Sequence, residues 1–488
     1  MKSEPVSIER LLEIGIALSA EKNSSRLLRT ILEAAMDITG CDGGTLYILS
    51  GDALKFEIIV TRSMGVDKGG CGETVDLPPV PLRPENVCAR AALDRRLYNV
   101  SDVYNDPRFD FSGPRRYDAI TGYKTTSMLV IPMEDDHGDV IGVLQLINAQ
   151  DEDGGTVPFD PGCEQVILSL ASQAAIKLTN LNYNAEIIET LDSFVRVLST
   201  AIDARSSYNA NHTRNMVKYC ERFLDWTAER GLWVMDETER RQLLMSIWLH
   251  DVGKLVIPLE VMDKQDRLGA ARAEIAHRFR DIALLDRIAL LSGKLSEEEY
   301  EAEARALKEA ETLVTWANTA DFLPDETLSA IDALAARSYV DTDGVSRPWL
   351  TEEEHKRLSI RKGTLTAEER DVIRSHAAMT EKMLSQMSFS RDYAMVPKWA
   401  SSHHEYINGG GYPHHLADGQ ISPQVRLITI LDVFDALTAR DRPYKPALPL
   451  EKALLILDDM ASSGQVDGVL LGWFKESRAW EDKPGDKP

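Results

Sequence analysis

Along the first third of the chain the spacing of apolar residues changes several times, and each change marks an element. Ile8–Ala20 and Arg26–Thr39 repeat apolar residues at three and four, the period of a helix with one buried stripe. Thr45–Ser50, Phe56–Thr61 and Arg96–Val100 are short runs rich in β-branched and aromatic residues, which predict strands. Met128–Pro132 and Val140–Ile147 flank the turn sequence Asp135-Asp136-His137-Gly138 and read as a hairpin. A helix opens after Pro161. Helices around an antiparallel sheet predict an α+β domain over residues 1–180.

From Cys163 to Arg205 neither glycine nor proline occurs, so the spacing predicts one long helix over 163–205. Its apolar residues alternate steps of four and three through Ile167, Ala171, Ala174, Leu178, Leu181, Ala185 and Ile188. The seam then slips by three to Leu191 and continues through Val195, Leu198 and Ile202. Such a seam fits pairing with a second copy in a parallel dimer, or packing onto the chain's own domains. The small alanines, with Asn180, Asn182 and Asn184 on the opposite face, favour the homodimer, in which the helix would carry strain from one domain to the next.

Beyond about residue 200 the periodicity is helical throughout, predicting an all-α domain over 200–488. Within it, 265–361 is rich in Ala, Glu, Leu and Arg and reads as a helical insertion, with His277 and His355 on its surface. No run of membrane-spanning length occurs, and the N-terminus lacks the apolar core of a signal peptide. The five cysteines (Cys41, Cys71, Cys88, Cys163, Cys220) are odd in number and form no CxxC pair, which points to a reducing, cytoplasmic setting. The net charge of −23 argues against a nucleic-acid polymer as partner and leaves a small phosphate-bearing substrate open.

The chemistry lies in the histidines. Of ten, only His137 falls in the first two hundred residues. His212, His250-Asp251, His376, His403-His404 and Asp432 form a series of imidazoles and carboxylates suited to iron, manganese or zinc. A carboxylate can bridge two such ions, and a metal pair is a standard means of activating water against a phosphodiester. His250-Asp251 ends an apolar helix, and Lys254 follows three residues later, within reach of a phosphate oxygen. His403-His404-Glu405 leads into Asn408-Gly409-Gly410-Gly411-Tyr412-Pro413, a loop whose glycines allow close backbone approach. Asp435, three residues after Asp432, reads as a residue that orients a ligand.

Two resemblances follow. Asn105-Asp106-Pro107-Arg108-Phe109, Gly122–Leu129 and Ile141–Asn148 make the first domain resemble a GAF domain, closest to those linked to cyclic nucleotide phosphodiesterases. That group's Asn-Lys, Phe, Asp-Glu signature survives as Asn148, Phe159 and Glu164, with Ala149 and Cys163 at the other positions. A small sensor ligand and a purely dimerising role both fit. The region from Asp203 to Trp480 resembles an HD-GYP domain, a subgroup of the HD phosphohydrolases that degrades cyclic di-GMP. The matching motifs are His250–Lys254, Gly363–Arg370 leading to His376, His403-His404-Glu405 through Gly411-Tyr412-Pro413, and Asp432–Thr438 followed by Arg442-Pro443-Tyr444-Lys445.

The HD-GYP resemblance implies a site and a reaction. His212, His250, Asp251 and Asp432 would hold one metal, with Asp251 bridging to a second held by His376, His403 and His404. Lys254 would stabilise the transition state beside Asp251. Gly411, Tyr412 and Pro413 would shape the substrate loop, and Arg442 and Lys445 would contact substrate phosphate. The implied activity is hydrolysis of cyclic di-GMP to pGpG and on to GMP, with iron or manganese as the metal. Another cyclic dinucleotide such as cyclic GMP-AMP, and a catalytically silent binding module, are the alternatives. Some relatives hold a third metal with a glutamate where Tyr208 stands here, so two metals are expected. Asn408 replaces the usual aspartate of the loop, and one extra residue lies between Thr438 and Arg442.

Overall fold

The structure, a computed structural model, describes residues 8–70, 75–205, 211–439 and 447–482. The chain divides into two units, Met1–Thr190 and Leu191–Pro488. In the first, helices α1 (Ile8–Ala20) and α2 (Ser24–Thr39) precede an antiparallel sheet of β1 (Cys41–Ser50), β2 (Ala53–Thr61), β3 (Val66–Gly69), β4 (Val80–Pro81), β5 (Tyr98–Val100), β6 (Met128–Glu134), β7 (Val140–Gln150) and β8 (Thr156–Val157). The strand order is β3-β2-β1-β7-β6-β5, with β4 on β2 and β8 on β7. Helices α3 (Val87–Asp94) and α4 (Ser112–Thr121) fall between β4 and β6.

Alternation along the strands sorts side chains to the two faces of this sheet. Leu129, Ile131, Met133, Leu144 and Leu146 pack with α1, α2 and the start of α5 (Pro161–Arg205), whereas Met128, Val130 and Val143 pack with α3. The surviving signature residues hold this unit together. Asn148, at φ 56°, accepts from the backbone N–H of Thr126 at 2.7 Å and donates to the Lys124 carbonyl at 2.8 Å. Glu164 accepts from Asn99 at 2.8 Å, and Phe159 is core.

The long helix is present, and its seam is buried in the chain's own cores at both ends, while Ala185 in its middle is exposed. Ile167, Ala171, Ala174 and Leu178 are buried in the first unit, and Val195 and Ile202 in the second. A different stripe is exposed: Tyr183, Ile187, Phe194 and Val197, again at steps of four, seven and three. A heptad pattern describes any helix face that meets another apolar surface, so spacing alone does not tell which surface that is.

The second unit is built around α15 (Pro423–Thr438), which is apolar on nearly every side. It packs among α6 (His212–Glu229), α7 (Glu237–Leu249), α14 (Val396–Ser401), α16 (Leu450–Ser462) and α17 (Gly468–Ser477). The short α8 (Leu259–Met262) leads to the insertion, whose helices α9 (Ala271–Leu291), α10 (Glu297–Thr319), α11 (Asp325–Ala335) and α12 (Glu352–Leu358) enclose a separate core around Phe279, Val314, Ile331 and Trp349. A small hairpin, β9 (Ser338–Val340) with β10 (Ser346–Pro348), adds to the helices that periodicity predicts there. The insertion is closed at its neck by Arg267, wholly buried, which donates to the carbonyls of Ala317 and Ile360 at 2.7 and 2.9 Å. His277 is exposed, and His355 pairs with Asp332 at 2.7 Å. The chain re-enters the bundle through α13 (Ala367–Leu384), whose Thr366–Glu369 capping box fixes its start.

Candidate metal centre

Each candidate ligand is delivered by an element with a local reason to stop or bend there. Helix α7 ends at His250, and Asp251 begins the 3-10 turn Val252–Val256. That turn lies directly on α13. A Cβ at Gly253 would sit 2.0 Å from the His376 carbonyl oxygen and 2.6 Å from the Thr380 nitrogen, so only glycine allows the contact. The Gly253 N–H donates to Thr380 Oγ1 at 3.0 Å, and that hydroxyl donates to the His250 carbonyl at 2.9 Å. One threonine thus ties the His250-Asp251 corner to the helix that carries His376. The corner is also gripped by Arg205, the last residue of α5, which donates to the carbonyls of Lys254 and Ile257 at 2.9 and 3.0 Å. Val195 and Ile202 of α5 share a core with Leu249 and Val252 beside it.

Histidines 212, 250, 376, 403 and 404 and aspartates 251 and 432 converge. His212, His250 and Asp432 offer donor atoms within 4.8 Å of one another, as do His376, His403 and His404, and likewise His250, Asp251 and His403. His212 Nε2 lies 3.2 Å from Asp432 Oδ1 and 4.0 Å from Asp251 Oδ2. Asp251 stands between the triads, with Oδ2 3.2 Å from His250 Nε2 and Oδ1 3.4 Å from His376 Nε2. His404 Nδ1 is 3.6 Å from Asp432 Oδ2. Lys254 Nζ reaches Asp251 Oδ2 at 2.6 Å.

A second layer sets the tautomers. The Nδ1–H groups of His250, His376 and His403 donate to the carbonyls of Ile247, Ile373 and Ala400, at 2.7, 2.6 and 2.6 Å. Each acceptor lies three residues back in the same helical turn, so each ring turns its Nε2 lone pair to the centre. His212 Nδ1 is held by Asp435 at 2.8 Å, and Asp435 also accepts from Asn215 at 3.0 Å. Asp435 thus fixes the His212 ring, the contact that its helical spacing from Asp432 suggests. Asn215, one turn beyond His212 on α6, is a participant that no motif announces; its position three residues on from a ligand is the only hint in the sequence.

Burial and neighbouring charge prepare the donors. Burial holds His376 and His403 below the usual imidazole range, aided by Lys254 at His376 and by the neighbouring histidines at His403, and burial pushes His404 down to about 4, so these three rings are neutral at pH 7. Burial works against the Asp251 carboxylate, yet His250 and Lys254 outweigh it and hold the group well below the usual range. Asp432 is likewise held low, by His212 above all, against the cost of burial. Burial disfavours the charged His212 ring, but Asp432 and Asp435 prevail and push its pKa up to about 10, so this ring would have to give up its Nε2 proton to a metal binding there.

The donor set fits a divalent metal pair on grounds of its own. His250 Nε2 and Asp251 Oδ1 are buried without a hydrogen-bond partner. His376 Nε2 and His403 Nε2 are 3.2 Å apart although both rings spend their N–H on carbonyls, which sets two lone pairs face to face. Orphaned acceptors aimed at one another cost free energy unless a cation lies between them.

The glycine-rich loop closes one side. Gly411 lets the chain fold back on itself, since a Cβ there would lie 2.3 Å from the Tyr406 nitrogen and 2.4 Å from the His404 carbonyl oxygen. Glu405 is buried and accepts the backbone N–H groups of His414 and Leu416 at 2.6 and 2.9 Å. Tyr412 is brought against His404, ring centroids 4.7 Å apart, and the peptide to Pro413 is cis. Asn408 lies outside the centre; its amide donates to the Ser463 carbonyl at 3.1 Å, a bond an aspartate there could not make. His414 and His415 are exposed. Tyr208, Arg442 and Lys445 lie outside the described residues.

Known proteins share both parts of the chain. The model of the GAF domain matches residues 23–178, and that of the HD domain matches 353–470. The second match begins beyond the insertion, which parts His250-Asp251 from His376 in sequence. The chain is 39% identical over 97 residues to the 3'3'-cGAMP-specific phosphodiesterase 3 of Vibrio cholerae, a match covering 20% of each protein. It is 30% identical over 119 residues to the cyclic di-GMP phosphodiesterase of Thermotoga maritima, covering 24% of this chain and 32% of that one. It is also 46% identical over 148 residues to the dual 3',5'-cyclic-AMP and -GMP phosphodiesterase 11 of Drosophila melanogaster, 29% of this chain and 10% of that one. The chain therefore spans a third or less of the length of these curated relatives.

Proposed function

We propose that this chain, which carries a GAF domain followed by an HD domain, is a metal-dependent phosphodiesterase of HD-GYP type that cuts cyclic di-GMP to pGpG, with GMP as the product of a second cut. The observation that carries this reading is the convergence of two donor triads on either side of Asp251, with the rings of His212, His250, His376 and His403 each held by an acceptor behind them. His212, His250 and Asp432 would hold one ion, His376, His403 and His404 the other, with Asp251 shared. Nitrogen-rich shells favour iron or manganese over magnesium. The bound metals supply activated water and positive charge for the phosphate. Asp251 fixes the spacing between the triads through its two oxygens. Lys254 is a cation at neutral pH: burial works against its charge, but Asp251 raises its pKa. It lies where a phosphate bound at the centre would gain negative charge, which it stabilises. Tyr412 walls the centre on the His404 side.

The motifs around Gly411-Tyr412-Pro413 and the Thermotoga relative support cyclic di-GMP. The Vibrio relative supports a second reading, 3'3'-cGAMP. The GAF domain acts as the sensor for a small ligand, and its output runs through α5 to the Arg205 grip on the Lys254 turn. The exposed stripe Tyr183, Ile187, Phe194 and Val197 pairs with a second copy in a homodimer. The protein works in the cytoplasm: four cysteines are free, and among the described residues no helix is long and apolar enough to cross a membrane.

The test is anaerobic turnover of cyclic di-GMP and 3'3'-cGAMP by protein loaded with Fe(II) or Mn(II), with Asp251→Ala as control. Linear dinucleotide or mononucleotide that disappears in the variant supports the reading. Metal-loaded protein that binds but never cuts either substrate would leave a binding module in its place.

A further inference from the structure

A cyclic dinucleotide carries two phosphodiesters, and only one can occupy a metal centre at a time. The second is a full negative charge held nearby by the same small ring, approaching a protein of net charge −23. It needs a local cation. Lys254 cannot serve both groups, because its Nζ lies 2.6 Å from Asp251 Oδ2, at the centre itself, and Arg442 and Lys445, the expected phosphate contacts, lie outside the described residues.

Arg374 is placed to serve. It lies on α13 two residues before His376, a step that turns about 200° around a helix. It therefore does not share the histidine's face and reaches the centre's rim by its length. Its guanidinium sits 5.7 Å from the centroid of the Tyr412 ring, and that ring lies 4.7 Å from His404 and 6.4 Å from His376. The cation is thus one aromatic ring away from two candidate ligands. Its only ion-pair neighbour among the described residues, Asp371, stands at 3.8 Å, beyond hydrogen-bond range, and the two side chains are 60% and 74% exposed. The guanidinium makes no hydrogen bond among the described residues, so its fork of donors is available, and that fork matches a phosphate in bidentate geometry. The ring beneath it restricts where the fork can point.

We infer that Arg374, positioned by Tyr412, binds the second phosphate of the cyclic dinucleotide and so selects cyclic dinucleotides over simple phosphodiesters. This rests on the phosphodiesterase reading above. It is tested on the full chain with Mn(II) by comparing kcat/KM for cyclic di-GMP with that for bis(p-nitrophenyl) phosphate, which has a single phosphate. In Arg374→Gln the ratio of the two should fall by about tenfold or more, chiefly through KM for the dinucleotide. Arg374→Lys, which keeps the charge, should recover part of the ratio. An unchanged ratio in Arg374→Gln, or a loss in Arg374→Lys as large as in Arg374→Gln, overturns the inference while leaving the phosphodiesterase intact. Wild-type protein that cuts bis(p-nitrophenyl) phosphate but no cyclic dinucleotide overturns both.

Discussion

Asp435 touches no substrate in this scheme, yet its replacement should disable half of the centre. Its two oxygens accept from His212 Nδ1 at 2.8 Å and from Asn215 at 3.0 Å, and the residue is 1% exposed. Asparagine at 435 has the same shape but only one accepting atom. If its oxygen keeps the Asn215 amide, its NH2 faces His212 Nδ1. His212 must then accept there and carry its proton on Nε2, the atom that faces Asp432 and Asp251. In the wild type a metal can displace the Nε2 proton because the Nδ1–H stays bonded to Asp435; facing an amide NH2, the ring loses that anchor for its remaining proton and ligates poorly. Losses of this outer-layer kind typically cost roughly 10- to 100-fold in metal affinity. The loss should fall on one ion only, because His376 and His403 are held by the Ile373 and Ala400 carbonyls and none of the other triad's rings touches Asp435. Mn(II) titration of Asp435→Asn followed by electron paramagnetic resonance should show one site near its wild-type affinity and one weakened by at least about tenfold. Circular dichroism should show the helices intact. Two sites of unchanged affinity would refute the argument that Asp435 sets the His212 tautomer, and equal weakening of both would refute the division into triads.

Three further outcomes follow from the same geometry. Gly253→Ala puts a methyl into backbone atoms of α13 and should cost about 1–3 kcal/mol, read as a Tm several degrees lower together with poorer metal retention; a wild-type Tm would mean that the turn does not lie on the helix. Arg205→Met removes the grip on the Lys254 turn while keeping the aliphatic stem, and should lower phosphodiesterase turnover with the helix content unchanged; unaltered kinetics would sever α5 from the site. Burial would raise the pKa of Glu354, but its bonds to Arg278 and Thr351 prevail and lower it from 4.5. The folded value lies below the unfolded one, so this stabilisation is complete above about pH 4.5 and is lost as pH falls through the folded value. Hydrogen exchange of α12 should accelerate on acidification more in the wild type than in Glu354→Gln, and parallel profiles would dismiss the pair as a contributor.

Much of the centre is legible in the sequence because histidines are few, ten in the chain, and two of the candidate pairs fall where helices end. His250-Asp251 closes α7 and His403-His404 follows α14, so residue type and element boundary agree. The acceptors behind the rings are mostly backbone carbonyls three residues back, which any sequence supplies and none advertises. Arg374 is silent in the sequence for a similar reason: an arginine on a helix is common, and only the fold brings Tyr412 of a distant loop beside it. In the fold, helix and strand periods located the sheet and the helices of the stretch with its own core, while the β9–β10 hairpin is too short to break a helical pattern. The seam of α5 shows the limit of periodicity. It reports that a face is covered, and the covering proved to be the chain's own sheet and bundle at the two ends.

The grip of Arg205 has one more consequence. Its targets are the carbonyl oxygens of Lys254 and Ile257, which every residue provides, so the grip is indifferent to the side chains of the turn. Under the proposed function, side chains beside the centre could then drift to suit a new substrate without unhooking the helix that would report on the sensor. Equally, any upstream domain able to end in a helix with an arginine at this register would inherit a ready connection. In that scheme the joint would act as a standard coupling, in which the parts on either side can be exchanged independently.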